Sequence, residues 1–306
     1  MTDRKIVLVA GATGAQGGAV INALAGGDFA LRALVRDPSS PAATALAARG
    51  VELVQGDFDD GDSLIRAAAG AYGIFSVQTP PGRDDSEVRT ARKLIEAALA
   101  NKVEVFIHTS VARAGDQESF IGWADGRWWK QYWISKDEVN KMVRSAGFPH
   151  WTILKPAYMM DNFVAPKSAW MYPGLARRGA IEHAMDPDTR LDLIAAADVG
   201  RFAAAAFADP PRFDKMEIDL AAESLTMGEV AAVLTAVTGK PVTARNISVK
   251  EAEDLGNTPG LAESQQWASL EGYKVDLGAA NGRGIALERF ADWARRHADE
   301  FEIGSN

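Results

Sequence analysis

Apolar and polar positions along the first half of the chain switch between two spacings. Short apolar runs, "IVLVA" (6–10), "ALRALVR" (30–36), the start of 51–70, "AYGIFSVQTP" (71–80) and "VEVFIHTS" (103–110), read as buried strands. Between them lie alanine-rich or amphipathic stretches with helical spacing, at 18–26, in the rest of 51–70 and at 89–102. Strand and helix alternating to residue 110 predicts an α/β fold, a doubly wound parallel Rossmann sheet with right-handed crossovers. Residues 111–127 read as loop, and a helix from near Trp128 to about Arg144 follows.

The second half is less regular. "HWTILKP" reads as a sixth strand closed by Pro156, and 166–180 as an irregular segment suited to a flap. A short strand leads to a helix from Ala197 with Asp198 near its start. Another strand precedes a helix capped by Thr226, with Glu229 as the reciprocal partner three residues on. A strand resumes after residue 240, and 257–281 carry no clear pattern. The end, 286–301, reads as an amphipathic helix with Leu287, Phe290, Ala291 and Ala294 on one face. The expected organisation is a Rossmann domain over 1–155, with sheet and helix returns near 189–220, and a smaller, interleaved C-terminal α/β domain over 156–306.

Chemistry concentrates where the first strand meets its helix. "GATGAQG" (11–17) spaces Gly11, Gly14 and Gly17 three apart. A strand running straight into a helix leaves N-terminal N–H groups and the positive dipole end open, and glycines let pyrophosphate approach. Gly11, Thr13, Gly14, Ala15, Gln16 and Gly17 are therefore the candidate cradle for a dinucleotide. The missing GK[ST] argues against a nucleoside-triphosphatase loop. The adenosine ribose belongs at the end of the second strand, where Arg36 stands before "DPSS". Arg36 suits a 2′-phosphate, with hydroxyls from Ser39 and Ser40, so NADP(H) is preferred. Asp37 leaves NAD(H) open: it either caps the next helix before Pro38 or accepts from a ribose hydroxyl. Asp57 is a candidate acceptor for the adenine amino group and Phe58 for its ring, while Asp60 and Asp62 suit the helix start. Val77, Gln78 and Thr79, at the end of the fourth strand, are expected beside the cofactor.

Tyr132 and Lys136 are four apart on the helix after the fifth strand, and Ser110 ends that strand. A lysine holding the ribose, a tyrosine donating a proton to a carbonyl oxygen and a serine steadying that oxygen form a reductase's proton-transfer set. The competing reading puts Tyr132 in an aromatic cluster with Trp128, Trp129 and Trp133. Beyond Pro156, Tyr158, Met159, Asn162 and Phe163 are candidate pocket residues for a flat aromatic substrate, or else domain-junction packing; Tyr158 is also a candidate cofactor contact.

Composition narrows the field. The 306 residues carry a net charge of -8, which argues against direct nucleic-acid binding. The chain has no cysteine, which excludes disulfides and thiolate zinc sites. His108, His150, His183 and His297 are scattered, so no metal site is expected. No run has the length of a signal peptide's apolar core or a membrane span, and a cytoplasmic location is expected.

Taken together, "GATGAQGGAV", "VRDPSS", "VQGDFDD", "YGIFSVQ", "WISKDEVNKMVRSAGFPHWTILKPAYMMDNF" and "LERFADWARRHADEFE" resemble the NmrA-like family of atypical short-chain dehydrogenases. Within it the chain is most similar to the HSCARG-type NADP(H) sensor and its bacterial relatives. The resemblance implies a Rossmann domain, a smaller C-terminal domain and a cleft between them. It implies NADP(H) more often than NAD(H), with Gly11, Gly14, Gln16 and Gly17 at the phosphates, Arg36 reading the 2′-phosphate and Lys136 as the family lysine. Relatives often lack an active tyrosine four positions before that lysine, where this chain has Tyr132. Members of the family reduce quinones, dyes or phenylpropanoids, or bind dinucleotide and regulate a protein partner. The expectation is an NADPH-dependent reductase of a small quinone-like or conjugated aromatic carbonyl compound. The alternative is a non-catalytic NADP(H) sensor acting through a regulatory protein partner, and a homodimer is compatible with both.

Overall fold

The computed structural model describes residues 4–80, 82, 84–256 and 259–304. The chain runs β1 (Lys5–Val9), α1 (Ala15–Leu24), β2 (Phe29–Val35), α2 (Pro41–Ala47), β3 (Glu52–Gln55), α3 (Gly61–Ala67), β4 (Ala71–Ser76), α4 (Ser86–Ala100), β5 (Val105–Thr109), α5 (Lys130–Ser145) and β6 (His150–Pro156). It continues with β7 (Tyr158–Met159), α6 (Ser168–Met171), α7 (Pro173–Arg178), β8 (Ala180–His183), β9 (Leu191–Ile194), α8 (Ala196–Ala208), α9 (Pro210–Phe213) and β10 (Met216–Leu220). Last come β11 (Glu223–Leu225), α10 (Met227–Thr238), β12 (Thr243–Asn246), α11 (Val249–Asp254), α12 (Pro259–Leu270), α13 (Leu277–Asn281) and α14 (Phe290–Arg296).

Two units share the chain. The first holds residues 1–115, 131–155 and 196–218; the second holds 116–130, 156–195 and 219–306. In the first, seven strands pair in the order β10-β6-β5-β4-β1-β2-β3, and β1 to β6 are mutually parallel. This is the doubly wound Rossmann sheet. Strand order reverses between β1 and β4, so the carboxyl ends of those strands form the topological switch point, where α/β sheets bind ligands. Ile74, Phe106 and Ile153 pack on one side against Leu64, Leu94 and Val139 of α3, α4 and α5. The other face carries the alternating residue Gly73, against which the Phe207 ring of α8 packs, and α8 in turn packs on α1.

The second unit is a smaller α/β body. It contains a three-stranded sheet, β11-β9-β7, and a two-stranded sheet, β12-β8. Its core is aromatic: Phe163 stacks on Tyr172 with centroids 5.0 Å apart and meets Phe290 edge-on. Helix α10 carries the complete Thr226–Glu229 capping box that the sequence predicts.

Several expected boundaries move, each for a local reason. Helix α1 starts at Ala15, three residues before the predicted 18, because Gly14 supplies its N-cap. Helix α2 is capped by Ser40, whose hydroxyl accepts from Ala43, with Pro41 in its first turn. Asp37 is not the cap; its carboxylate accepts from the Ser39 amide and hydroxyl at 2.8 and 2.6 Å. Residues 166–180 are not a flap: α6 and α7 occupy them, and Met171 to Leu175 are buried. The patternless 257–281 holds α12 and α13, with 257 and 258 outside the described residues. The terminal helix is shorter than 286–301, and it buries Trp293 as well as Phe290 and Ala294.

Candidate active site

The site is built at the switch point of the first unit. After β1 the backbone of Gly11 takes a φ of +61°, and a side chain there would collide with Val77 beyond β4. A Cβ on Gly17 would stand 2.2 Å from the Gly11 carbonyl oxygen, so α1 leaves the turn with no room for any other residue. Gly14 caps α1 without a side-chain hydrogen bond, and Thr13, Gly14 and Ala15 are exposed. The N-terminal amides of α1 therefore face outward from a bare turn, which fits the pyrophosphate of a dinucleotide. Gln16 is held by the Thr109 hydroxyl, which donates to its Oε1 at 2.7 Å and ties the turn to the end of β5.

Arg36 lies exposed just beyond β2, and its guanidinium has no ion pair among the described residues. A cation left unpaired at this position fits an anionic ribose substituent. The Ser39 hydroxyl is turned toward Asp37, and the hydrogen bonds from Ser39 hold the Asp37 carboxyl below the usual carboxylate range. Asp57 is exposed; its carboxylate accepts from the Asp59 amide at 2.8 Å, and Phe58 beside it packs partly on the core.

Beneath the turn lies a buried polar layer. Gln78 donates from Nε2 to the Ser76 hydroxyl at 3.0 Å, and Ser76 Oγ lies 3.3 Å from His108 Nδ1. Burial, with the charge of Lys136 adding to it, pushes the His108 imidazole down to about 3, so the ring is neutral. The Ser110 amide donates to Leu154, while its buried hydroxyl has no partner among the described residues. Gln78 Oε1 and His108 Nε2 are likewise buried without partners there. Buried polar atoms without protein partners suit a polar ligand or solvent at this position. Thr79 is exposed at the edge of the same region.

Helix α5 brings Tyr132 and Lys136 to one face, with the Lys136 ammonium 5.8 Å from the Tyr132 ring centre. Trp133 meets Tyr132 edge-on at 5.3 Å, so part of the aromatic-cluster reading holds as well. Trp128 precedes the helix, and its indole donates to the Ile121 carbonyl. Lys136 is buried and paired with the buried Glu87 at 2.5 Å. Sequence reading missed Glu87 because its partner lies 49 residues away, and nothing in a helix's first turn announces an inward carboxylate.

In the second unit, Tyr158 and Tyr172 share a hydroxyl–hydroxyl hydrogen bond of 2.6 Å. Burial raises both phenols above the ordinary value, so they remain protonated. Met159 and Asn162 are half-buried, whereas Phe163 is fully buried with its ring committed to the unit's own core. Among the described residues no group of three or more histidines and acids is placed to hold a metal, and no helix is long and apolar enough to cross a membrane.

A family-wide sequence pattern, that of the NmrA-like family, matches residues 3–282. The chain belongs to the NmrA-like family. An NAD(P)H azoreductase of Xenophilus azovorans is 28% identical over 308 residues, covering 97% of this chain and 99% of that protein. The crystal structure of an NADPH-dependent quinone oxidoreductase of Escherichia coli, complexed with NADPH, is similar with a TM-score of 0.73 at 25% identity; the match covers 95% of this chain and 99% of that one. NmrA, a negative transcriptional regulator solved with NADP, shares the fold with a TM-score of 0.74 at 21% identity, over 96% of this chain and 95% of that one.

Proposed function

We propose that this NmrA-like protein is an NAD(P)H-dependent reductase of quinones or similarly conjugated aromatic electrophiles, with NADP(H) preferred and NAD(H) accepted. The observation that carries the reading is the bare start of α1 at the switch point, where the Gly14 cap brings no side-chain hydrogen bond, together with an exposed Arg36 beyond β2 that has no ion pair among the described residues. The azoreductase and the quinone oxidoreductase among its relatives support the choice of substrate class. The nicotinamide, when bound, supplies the hydride. The chain's own residues do the rest. The α1 amides and Gln16 hold the pyrophosphate, and Arg36 meets the 2′-phosphate through charge-assisted hydrogen bonds. Asp57 and Phe58 border the adenine, while Val77, Gln78 and Thr79 border the rest of the coenzyme. Lys136 takes the ribose hydroxyls, Ser110 steadies the substrate oxygen, and Tyr132 gives it a proton. Tyr158, Met159 and Asn162 are proposed to recognise the aromatic substrate.

The deciding experiment follows NADPH oxidation against quinones, azo dyes and aromatic ketones. Turnover above the blank with at least one class is expected. Tight NADPH binding with blank rates throughout would overturn the enzyme reading. A second reading then stands, that of an HSCARG-type NADP(H) sensor acting through a protein partner; the regulator that shares this fold motivates it. It predicts that NADP(H) changes assembly or partner capture, and identical light scattering and pull-downs with and without coenzyme would sink it.

A further inference from the structure

Helix α4 starts at Ser86, and its second residue sends a carboxylate inward. Glu87 is 1% exposed, and its Oε1 lies 2.5 Å from Lys136 Nζ. The lysine side chain is itself only 7% exposed, so both charges have left water. A buried ammonium without a counter-charge is strongly unfavourable, and a flexible lysine stem has many rotamers to lose. One carboxylate oxygen meets both needs. An ammonium has three N–H donors, and Glu87 engages one of them.

The surroundings argue against a role in packing alone. Glu87 Oε2 is buried with no partner among the described residues, so the carboxylate is not fully satisfied. Burial lifts the Glu87 carboxyl above the usual range, against the pull of Lys136. A helix pin would be cheaper in apolar residues. His108, the titratable neighbour on β5, is neutral and leaves Glu87 as the counter-charge. Asp137, next to Lys136 on α5, gives its carboxylate to Lys141 at 2.7 Å instead.

We propose that Glu87 is a positioning residue for coenzyme binding: its carboxylate anchors the Lys136 ammonium and leaves the remaining N–H donors for the ribose. The inference rests on the reading of Lys136 as a coenzyme ligand. The test is a double-mutant cycle with E87Q and K136M, read as NADPH affinity by fluorescence titration, with melting temperatures recorded alongside. The expectation is that K136M and E87Q each weaken NADPH about tenfold, and that E87Q adds less than about twofold once Lys136 is methionine. The conservative E87D should recover affinity to within about threefold of the parent. Equal weakening by E87Q with and without Lys136 would overturn the proposal, as would unchanged or tighter binding by E87Q. Should E87Q fail to fold, E87D replaces it: about a threefold loss confined to the Lys136 background supports the proposal, and the same loss in both backgrounds overturns it. K136M with unchanged NADPH affinity is a distinct result. It removes the ribose-ligand reading first, and the role of Glu87 with it.

Discussion

In the proposed function, Arg36 serves coenzyme binding and Tyr132 serves chemistry, and substitutions at the two positions test the roles separately. Arg36 is exposed beyond β2, so removing it disturbs no buried partner. Arg36→Ala should weaken NADPH about tenfold or more, the worth of a charge-assisted hydrogen bond, and NADH less than about threefold. Parallel titrations of the two coenzymes check this, and equal losses would remove the phosphate-reading role. Asp37 sits beside Arg36 as a carboxylate held ionised by Ser39, which opposes a 2′-phosphate and explains why NAD(H) stays admissible. Tyr132→Phe deletes one hydroxyl and keeps the ring against Trp133. Its kcat should fall about a hundredfold or more while NADPH affinity holds. Unaltered steady-state rates would return Tyr132 to a packing role.

At the scale of an element, the turn between β1 and α1 packs the helix closely and, in the proposed function, also binds coenzyme. Gly17 is pressed against the Gly11 carbonyl, so a methyl group there forces the helix off the sheet. Gly17→Ala should cost about 1–3 kcal/mol of stability, as overpacking does, and lower NADPH affinity as a consequence. Gly14 is different: a Cβ there meets only the Gly11 oxygen, at 3.3 Å, and projects from the exposed cap. Gly14→Ala should cost less than about 1 kcal/mol in stability yet weaken NADPH clearly. Urea unfolding and coenzyme titration on both variants decide it; the reverse pattern would put the binding edge elsewhere. These strands, helices and the glycine turn were legible because local spacing encodes them. The Ser40 cap was hidden because Asp37 and Ser40 are both capping residue types, and only backbone geometry chooses between them. Helices α6 and α7 were hidden because short helices draw their stability from the burial of Met171, Tyr172 and Leu175.

Across the whole molecule, the buried polar layer ties stability to pH. His108 titrates at about 3 in the fold against 6.5 for an unperturbed imidazole. The unfolded chain thus binds a proton first, so this contribution to stability is complete above about pH 6.5 and declines as pH falls toward 3, by about 1.4 kcal/mol per pH unit. Urea unfolding at several pH values should show a shallower acid-side slope for His108→Gln than for the parent chain. Identical slopes would mean that the ring takes its proton inside the fold.

Residues near in sequence determined the alternation of strands and helices, the glycine turn, the Arg36 position, and the sharing of one helical face by Tyr132 and Lys136. Those features follow from short continuous apolar runs, a helical period of 3.6 residues and the steric limits of single residues, which act over a few positions. Tertiary structure alone decided that 116–130 joins the second unit. It also chose Glu87 as the partner of Lys136 and left the Ser110 hydroxyl and His108 Nε2 without partners among the described residues in the layer below the turn. The reason is physical: burial and charge pairing depend on distance in space, and a contact spanning 49 residues leaves no periodic trace in the chain.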